Sequence, residues 1–400
     1  MEIGPIFRTL FRNKARFILI GLEVALTLAI VVNCVNMILK TKHDMDRPTG
    51  IDEANIITLR SQPFSADFKE EAYLDDSRKA DLAMLRSLPG VRAAEAITQI
   101  PLSGSGSSSG YKPLGSEMQT LATAVFWVGT QGVDALGVRV AAGRNFTLSD
   151  IHEADSKNVL VTRAYADKLF PNGDALGKQI QGRTPENPHT IIGIIEKMHG
   201  SWPRWRHIEN VTLMPGKPGS FNNGVRYLVR AHPGQRDAVA RVLEEQMLKL
   251  NNGRNVTVQT LAERKARTYH ADVNVAIMLG AMLALLVFVT ALGIVGITSF
   301  SVTERTKQIG TRRAIGARKL DILRYFLTEN WLITSLGIAF GVILAYSLNY
   351  VLMTYLDGTP MDWRLVVGGI AGMWLVGLLA ALFPALRGAQ IPPATATRTV

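Results

Sequence analysis

Four places in this chain of 400 residues hold side chains that could do chemistry: seven histidines, a glycine-lysine hexapeptide, a carboxylate inside the first apolar run and one dense basic block. His43, His152, His189, His199, His207, His232 and His270 nowhere fall at the i, i+3 or i+4 spacing by which one helix presents two ligands to a metal. Gly173 to Lys178, reading GDALGK, has one residue too few between its glycines for a phosphate-binding loop, and Gln179 stands where Ser or Thr would hold magnesium. No other segment supplies that loop, so the chain itself is expected to bind no nucleotide, cofactor or metal. Serines are plentiful but build no nucleophile elbow. The single cysteine, Cys34, lies in an apolar run and reads as a small filler. No catalytic site is expected.

The basic block is different in kind. From Glu304 to Trp331 the chain reads ERTKQIGTRRAIGARKLDILRYFLTENW. Arg305, Lys307, Arg312, Arg313, Arg318, Lys319 and Arg324 stand against Glu304 and Asp321, a net of +5 in about twenty residues, set between two long apolar runs. Lipid does not tolerate that charge, so the block is a cytoplasmic linker and fixes the direction of the helices around it. Arg8, Arg12, Lys14 and Arg16 against Glu2 give +3 at the start, and Arg387 and Arg398 give +2 at the end. These three places account for ten of the net +11, so the charge is a topology signal rather than a groove for nucleic acid.

The elements that carry this block follow from hydropathy. Phe17 to Ile38 is too long for a signal-peptide core and ends without a small-x-small site, so it is expected to be a first, uncleaved span behind a cytoplasmic N-terminus at 1–16. Glu23 lies about 9 Å into that span at ~1.5 Å per residue; it either pairs or is protonated as packing glue against another span, or it is functional. A stalk and second span cover 261–300, a linker 301–325, third and fourth spans 326–353 and 365–386, and a cytoplasmic tail 387–400. A continuous helix over 261–300 would be about 60 Å long, twice the hydrocarbon thickness, and would project from the membrane. Gly337-x-x-x-Gly341 and Gly368-x-x-x-Gly372 are expected to let helices approach closely. Tyr346, Tyr350, Tyr355 and Trp363 mark the outer ends of the spans, Tyr325 and Trp331 the inner one.

Between the first two spans lies a body of ordinary globular composition. Asn55 to Arg60, Ser77 to Leu88 and Val91 to Ile100 read strand, helix, strand, and Val225 to Ala231, Gln235 to Leu250 and Asn255 to Thr260 repeat that order. Two β-α-β halves, 41–100 and 223–260, are expected to pair into a split α+β subdomain of ferredoxin-like kind around a β-rich insertion at 101–222. The insertion opens with a flexible Ser/Gly tract, Ser103 to Gly110, and continues with strands at Ala124 to Thr130, Val159 to Thr162 and Thr190 to Ile195 and a short helix at Arg163 to Leu169. Trp202 and Trp205 either stack a ligand, touch a partner or anchor a loop onto the body.

The linker resembles the signature of the MacB/FtsX-like permeases, the membrane subunits of a class of ABC transporters. Leu136-Gly137-Val138 to Gly143-Arg144-Asn145-Phe146, Val159 to Ala166, Leu169-Phe170-Pro171, Leu176-Gly177-Lys178, Ile191 to Ile195 and Pro384-Ala385-Leu386-Arg387 extend the resemblance along the chain. It departs at Gln308, where many members carry Glu. The resemblance implies one helix, an extracytoplasmic domain, then three helices, in a homodimer or paired permease coupled to a separate cytoplasmic ATPase that holds the ATP and Mg. The implied home is the bacterial inner membrane, with both termini cytoplasmic and the large domain periplasmic.

On that basis the coupling surface is expected at Glu304, Arg305, Gln308, Ile309, Gly310, Arg312, Arg313, Ala314, Gly316 and Ala317. A short amphipathic element with Ile309, Ala314 and Ile315 on one side and arginines on the other can lie along the membrane and dock on a partner. The competing reading is that the arginines only set topology and hold anionic membrane lipid. The function expected is conversion of ATP-driven motion into movement of the extracytoplasmic domain, for export or extraction of a substrate from the periplasmic side. Export would add a periplasmic adaptor and an outer-membrane channel as partners. The rival reading is a regulatory permease whose stroke activates an extracytoplasmic enzyme or receptor.

Overall fold

A computed structural model describes residues 14–152, 156–182, 187–216, 224–355 and 358–392. Arg8, Arg12 and Arg398, on which part of the expected topology rests, lie outside the described residues. The chain divides into two compact units, one of residues 46–271 and one combining 1–45 with 272–400.

In the first unit, β1 (Ile56–Pro63), α2 (Glu71–Ser87) and β2 (Val91–Ile97) form one half, numbering from a preceding helix α1 (Lys14–Asp46). The other half is β10 (Val225–Ala231), α6 (Arg236–Leu250) and β11 (Arg254–Thr260). Their strands line up as β11-β1-β10-β2, every neighbour antiparallel. This interleaving is the expected pairing of two β-α-β halves. Strand alternation sends Ile57, Leu59, Tyr227 and Val229 to one face, where Leu85 of α2 and Val239, Leu243 and Met247 of α6 cover them. A buried ion pair fixes the same layer. Arg254 donates Nη1 and Nη2 to Asp81 at 2.5 and 2.8 Å, Tyr227 Oη donates to Asp81 at 2.6 Å, and both charged side chains are 1% exposed.

The insertion carries β3 (Ser108–Pro113), β4 (Leu121–Val128), α3 (Gly132–Leu136), β5 (Val140–Gly143), α4 (Leu148–His152), β6 (Asn158–Thr162), α5 (Arg163–Leu169), β7 (Gln179–Gln181), β8 (His189–Ile195) and β9 (Val211–Pro215). The order β4-β3-β7-β8-β6-β9 returns to β4 through a parallel β4–β9 pairing, which closes these strands into a ring. Tyr111, Val125, Val161, Tyr165, Ile180 and Ile191 pack into one core there. The expected flexible tract is corrected in part: Ser108 to Gly110 belong to β3 and pair with Ala124, Thr123 and Ala122, because a strand edge was waiting for them. Trp202 and Trp205 form an edge-to-face pair with ring centroids 5.2 Å apart and pack on the hydrophobic core, so they anchor the loop.

The second unit is built on α1, α7 (Leu261–Glu304), α9 (Lys319–Tyr355) and α10 (Trp363–Ala389), with the short α8 (Thr306–Ala314) between α7 and α9. Among the described residues these four long helices are long and apolar enough to cross a membrane. The helix α7 begins with a capping box: Glu263 N–H donates to Thr260 Oγ1 at 3.1 Å and Thr260 N–H to the Glu263 carboxylate at 3.0 Å. It then runs 44 residues, about 66 Å at ~1.5 Å each. On α1, Ile20, Val24, Leu28 and Val32 recur every fourth residue and meet Ile294 of α7, Ile333 of α9 and Met373 of α10.

The glycine pairs differ. A Cβ on Gly337 would lie 2.8 Å from the Gly21 carbonyl oxygen, and one on Gly341 3.0 Å from Ala25 Cα, so this pair seats α9 against α1. Within the chain Gly368 and Gly372 make no such contact: nothing stands within 4 Å of either Cβ position, and Gly369 and Gly377 make the close contacts, with Val32 and Thr334. The reason is phase: a residue one or five positions along turns a helix face by roughly 100° or 140°. Polar groups also cross between helices. Thr27 and Thr290 hydroxyls are 2.8 Å apart, Asn33 donates to the Ala345 carbonyl at 3.1 Å and Asn330 to that of Gly377 at 2.8 Å. Glu23 faces the bundle, its carboxylate against Gly293 of α7, where a Cβ would stand 2.6 Å from Oε2.

Candidate functional site: the basic linker

The linker is a helix-break-helix. At Arg305 the backbone leaves helical geometry, with φ −102° and ψ 15°, and Thr306 Oγ1 donates back to the Val302 and Thr303 carbonyls at 3.2 and 2.8 Å. The helix α8 ends in a Schellman motif. Gly316, at φ +107°, donates to the Arg313 carbonyl at 3.2 Å, and Ala317 N–H donates to that of Arg312 at 3.0 Å. Only glycine enters that left-handed conformation without strain, which is the local reason for Gly316.

Two arginines tie the linker to the bundle. Arg305 holds Glu329 of α9 with two parallel bonds, Nη1 to Oε2 at 2.9 Å and Nη2 to Oε1 at 3.1 Å, the side chains only 14% and 10% exposed. It also donates to Tyr325 Oη at 3.2 Å. Arg313 donates Nη1 to the carbonyl of Ala389 at 2.7 Å, where a cation complements the C-terminal end of α10. Between them Ile309, 4% exposed, packs with Val302, Ile322, Phe326, Ala385 and Ala389, and Ala317 joins the edge of that cluster. Gly310 is buried beside it.

The expected apolar side of the linker is corrected. Ile309 faces inward, whereas Ala314 is exposed and Ile315 is 82% exposed. At about 100° per residue, position 314 lies some 140° around the helix from position 309, and Ile315 has left the helix at its C-cap. The outer surface thus carries Gln308, Arg312, Ala314, Ile315, Gly316 and, at the start of α9, Arg318, Lys319 and Leu320, the last 58% exposed. Glu304 is exposed at the end of α7. Arg312 lies over the Tyr325 ring, 5.2 Å from its centroid, so its guanidinium is steadied while still open to a partner. Of the residues expected to couple, Arg305, Ile309, Gly310, Arg313 and Ala317 sit on the inner side and the others on the outer. Glu329 was not singled out from sequence, although a lone carboxylate in an apolar span signals a pairing partner.

The MacB-like periplasmic core domain profile matches residues 21–260 and the FtsX-like permease C-terminal profile residues 280–393. The chain belongs to this MacB/FtsX-like permease family. It is a multi-pass membrane protein with an extracytoplasmic domain. It is 29% identical over 303 residues to the macrolide export ATP-binding/permease protein MacB of Neisseria gonorrhoeae, covering 73% of this chain and 45% of that protein. It is 25% identical over 417 residues to the uncharacterized ABC transporter permease YvrN of Bacillus subtilis, covering 98% of both. The chain therefore spans about half the length of the MacB relatives and nearly all of YvrN. The crystal structure of the periplasmic region of MacB from Actinobacillus actinomycetemcomitans superposes with a TM-score of 0.38 at 16% identity, over 55% of this chain and 94% of that one.

Proposed function

We propose that this chain is the permease subunit of an ABC transporter in the bacterial inner membrane, driven by a separate cytoplasmic ATPase that carries the ATP and Mg. The observation that carries the reading is the exposed surface of the linker: apolar Ile315 and Leu320 stand exposed among the exposed cations Arg312, Arg318 and Lys319 along residues 312–320, and the Arg305–Glu329 clamp ties the linker to α9. Exposed apolar side chains interspersed with cations suit a groove with acidic edges. A push on it reaches α9 through Arg305 and the end of α10 through Arg313, and α7 continues without a break from the linker to Leu261. The stroke needs no channel through the bilayer. The positive charge of the N-terminal residues, the linker and the tail supports a cytoplasmic side for both termini and the linker.

The names of the relatives, macrolide export among them, favour export or extraction of a substrate from the periplasmic side, with an adaptor and an outer-membrane channel as further partners. A second copy of this permease is the partner proposed for the uncovered apolar face of α7, where Ile277, Met278, Leu285 and Phe288 are exposed. The test is co-purification with the cognate ATPase and stimulation of its ATP hydrolysis. Ile315→Asp and Arg312→Ala should each weaken association at least about tenfold, as expected for loss of a central anchor or a charged contact. Unchanged association and stimulation in a correctly inserted Ile315→Asp, Arg312→Ala double variant would remove the docking surface from this face.

A further inference from the structure

The extracytoplasmic body places like charges together where the fold alone gives no reason for them. Arg60 of β1 and Arg226 of β10 are directly opposed in the antiparallel ladder, an arrangement that destabilises a sheet through repulsion. The first turns of α7 add Arg264 and Arg267 to the same place. A cleft of about 380 Å³ opens there, lined by Arg60, Arg264, Arg267, Ser103, Thr257 and Thr268, with Leu59 and Ile100 as an apolar wall. That volume is within the roughly 300–1,000 Å³ of small-molecule sites. No Asp or Glu is among its lining residues.

Arg226 donates Nη1 to the Thr98 carbonyl at 2.6 Å, whereas Arg264 and Arg267 are served mainly by one neutral side chain. The Glu263 carboxylate caps the start of α7, and Lys265 takes Glu53 at 3.1 Å. One neutral amide, that of Gln259, stands between two guanidinium groups: Arg264 Nη1 is 3.4 Å from its Oε1, and with the amide turned its oxygen lies 3.2 Å from Arg267 Nη1. Arg264 Nε is buried and has no hydrogen-bond partner among the described residues. Burial, and then the charges of Arg226, Arg60 and Arg267, act against protonation of Arg264.

We propose that this cleft is an oxyanion site that takes a phosphoryl group on a partly apolar molecule, held by the guanidinium groups of Arg60, Arg264 and Arg267. Planar guanidinium forks match phosphate oxygens two at a time, and an anion relieves the repulsion between strands β1 and β10. The hydroxyl of Thr257 supplies a neutral donor in the lining, and the Leu59 and Ile100 wall suits the apolar remainder of the ligand. The site is independent of the linker reading, and either can fail without the other.

The experiment uses the full chain in neutral detergent at low salt, with binding measured calorimetrically. The probes are inorganic pyrophosphate, a short-chain phosphatidic acid and, as a zwitterionic comparator, the matching phosphatidylcholine. Saturable binding is expected for one or both phosphoryl probes and not for the comparator; pyrophosphate alone points to a soluble ligand, the phosphatidic acid to a lipid. Arg264→Gln and Arg267→Gln should each weaken it about tenfold or more, and Arg92→Gln, exposed on β2, should not. Arg267 is itself exposed, so its variant keeps the test valid if Arg264→Gln fails to fold. Absence of saturable binding by both phosphoryl probes, or equal affinity in wild type and Arg267→Gln, overturns the proposal.

Discussion

Replacing Arg305 by Met should cost far more than removing a solvent-exposed charge elsewhere on the linker, because its side chain is only 14% exposed. Its bidentate partner, Glu329, lies ten residues into α9, about 15 Å from the start of that helix, and is 10% exposed. Deleting one member of a buried pair leaves the other without its counter-charge, at a cost of about 3 kcal/mol at the low end for such sites. Removing both members, Arg305→Met with Glu329→Leu, leaves no orphan and should recover much of the loss, a coupling of roughly 1–3 kcal/mol in a double-mutant cycle. The stability assay is unfolding of the reconstituted protein followed by tryptophan fluorescence, and the functional one is stimulation of the partner ATPase. The double variant should regain stability but not stimulation, because the apolar contact that replaces the clamp no longer locks the linker to α9. Additive single effects, with coupling below about 0.5 kcal/mol, or full stimulation in the double variant, would refute the clamp as a transmitting element.

Gly337→Leu should destabilise the bundle by about 1–3 kcal/mol, since its side chain meets the Gly21 carbonyl and Val24, whereas Gly368→Leu has open space and should be tolerated; equal thermal shifts in detergent would contradict this packing. In the extracytoplasmic body, His199 is 1% exposed, and burial followed by the Arg47 charge pushes its pKa down to about 4 from the ordinary 6.5. The unfolded chain then takes up the proton first, so stability should be level above pH 6.5, fall by at most about 3 kcal/mol between pH 6.5 and 4, and level off below. His199→Gln should flatten the slope in that window, as read from denaturant midpoints against pH; an unchanged slope would assign it to other groups.

Much of this architecture is written in local signals. Uninterrupted apolar runs and the charge of the linker mark the long helices, and the strand-helix-strand repeat at 55–100 and 225–260 marks the paired halves, because both rest on periodicity within one element. The ring of the insertion is less legible. The strands β3, β5, β7 and β9 are short, and β3 begins inside a Ser/Gly tract whose composition says loop. Their structure comes from neighbours far along the chain, such as Ala124, which pairs with both Ser108 and Val211. At the linker, residue types marked a candidate surface but not which way each side chain points. The inward turn of Arg305 depends on Glu329, and the outward turn of Ile315 on the left-handed Gly316, neither of which periodicity encodes.

The interleaving of the two halves has a consequence for how the protein comes to be folded. Strand β1 lies between β10 and β11, with Ile57 paired to both Val229 and Thr260, so its partners leave the ribosome roughly 170 to 200 residues after it does. Contacts so distant in sequence must wait for chain closure, whereas the ring draws its strands from within the insertion. The ring is therefore free to form first, leaving β1 and β2 with unpaired backbone edges until the last part of the body has crossed the membrane. That interval is when the nascent chain is most exposed to strand-to-strand aggregation, and chaperone demand should fall there.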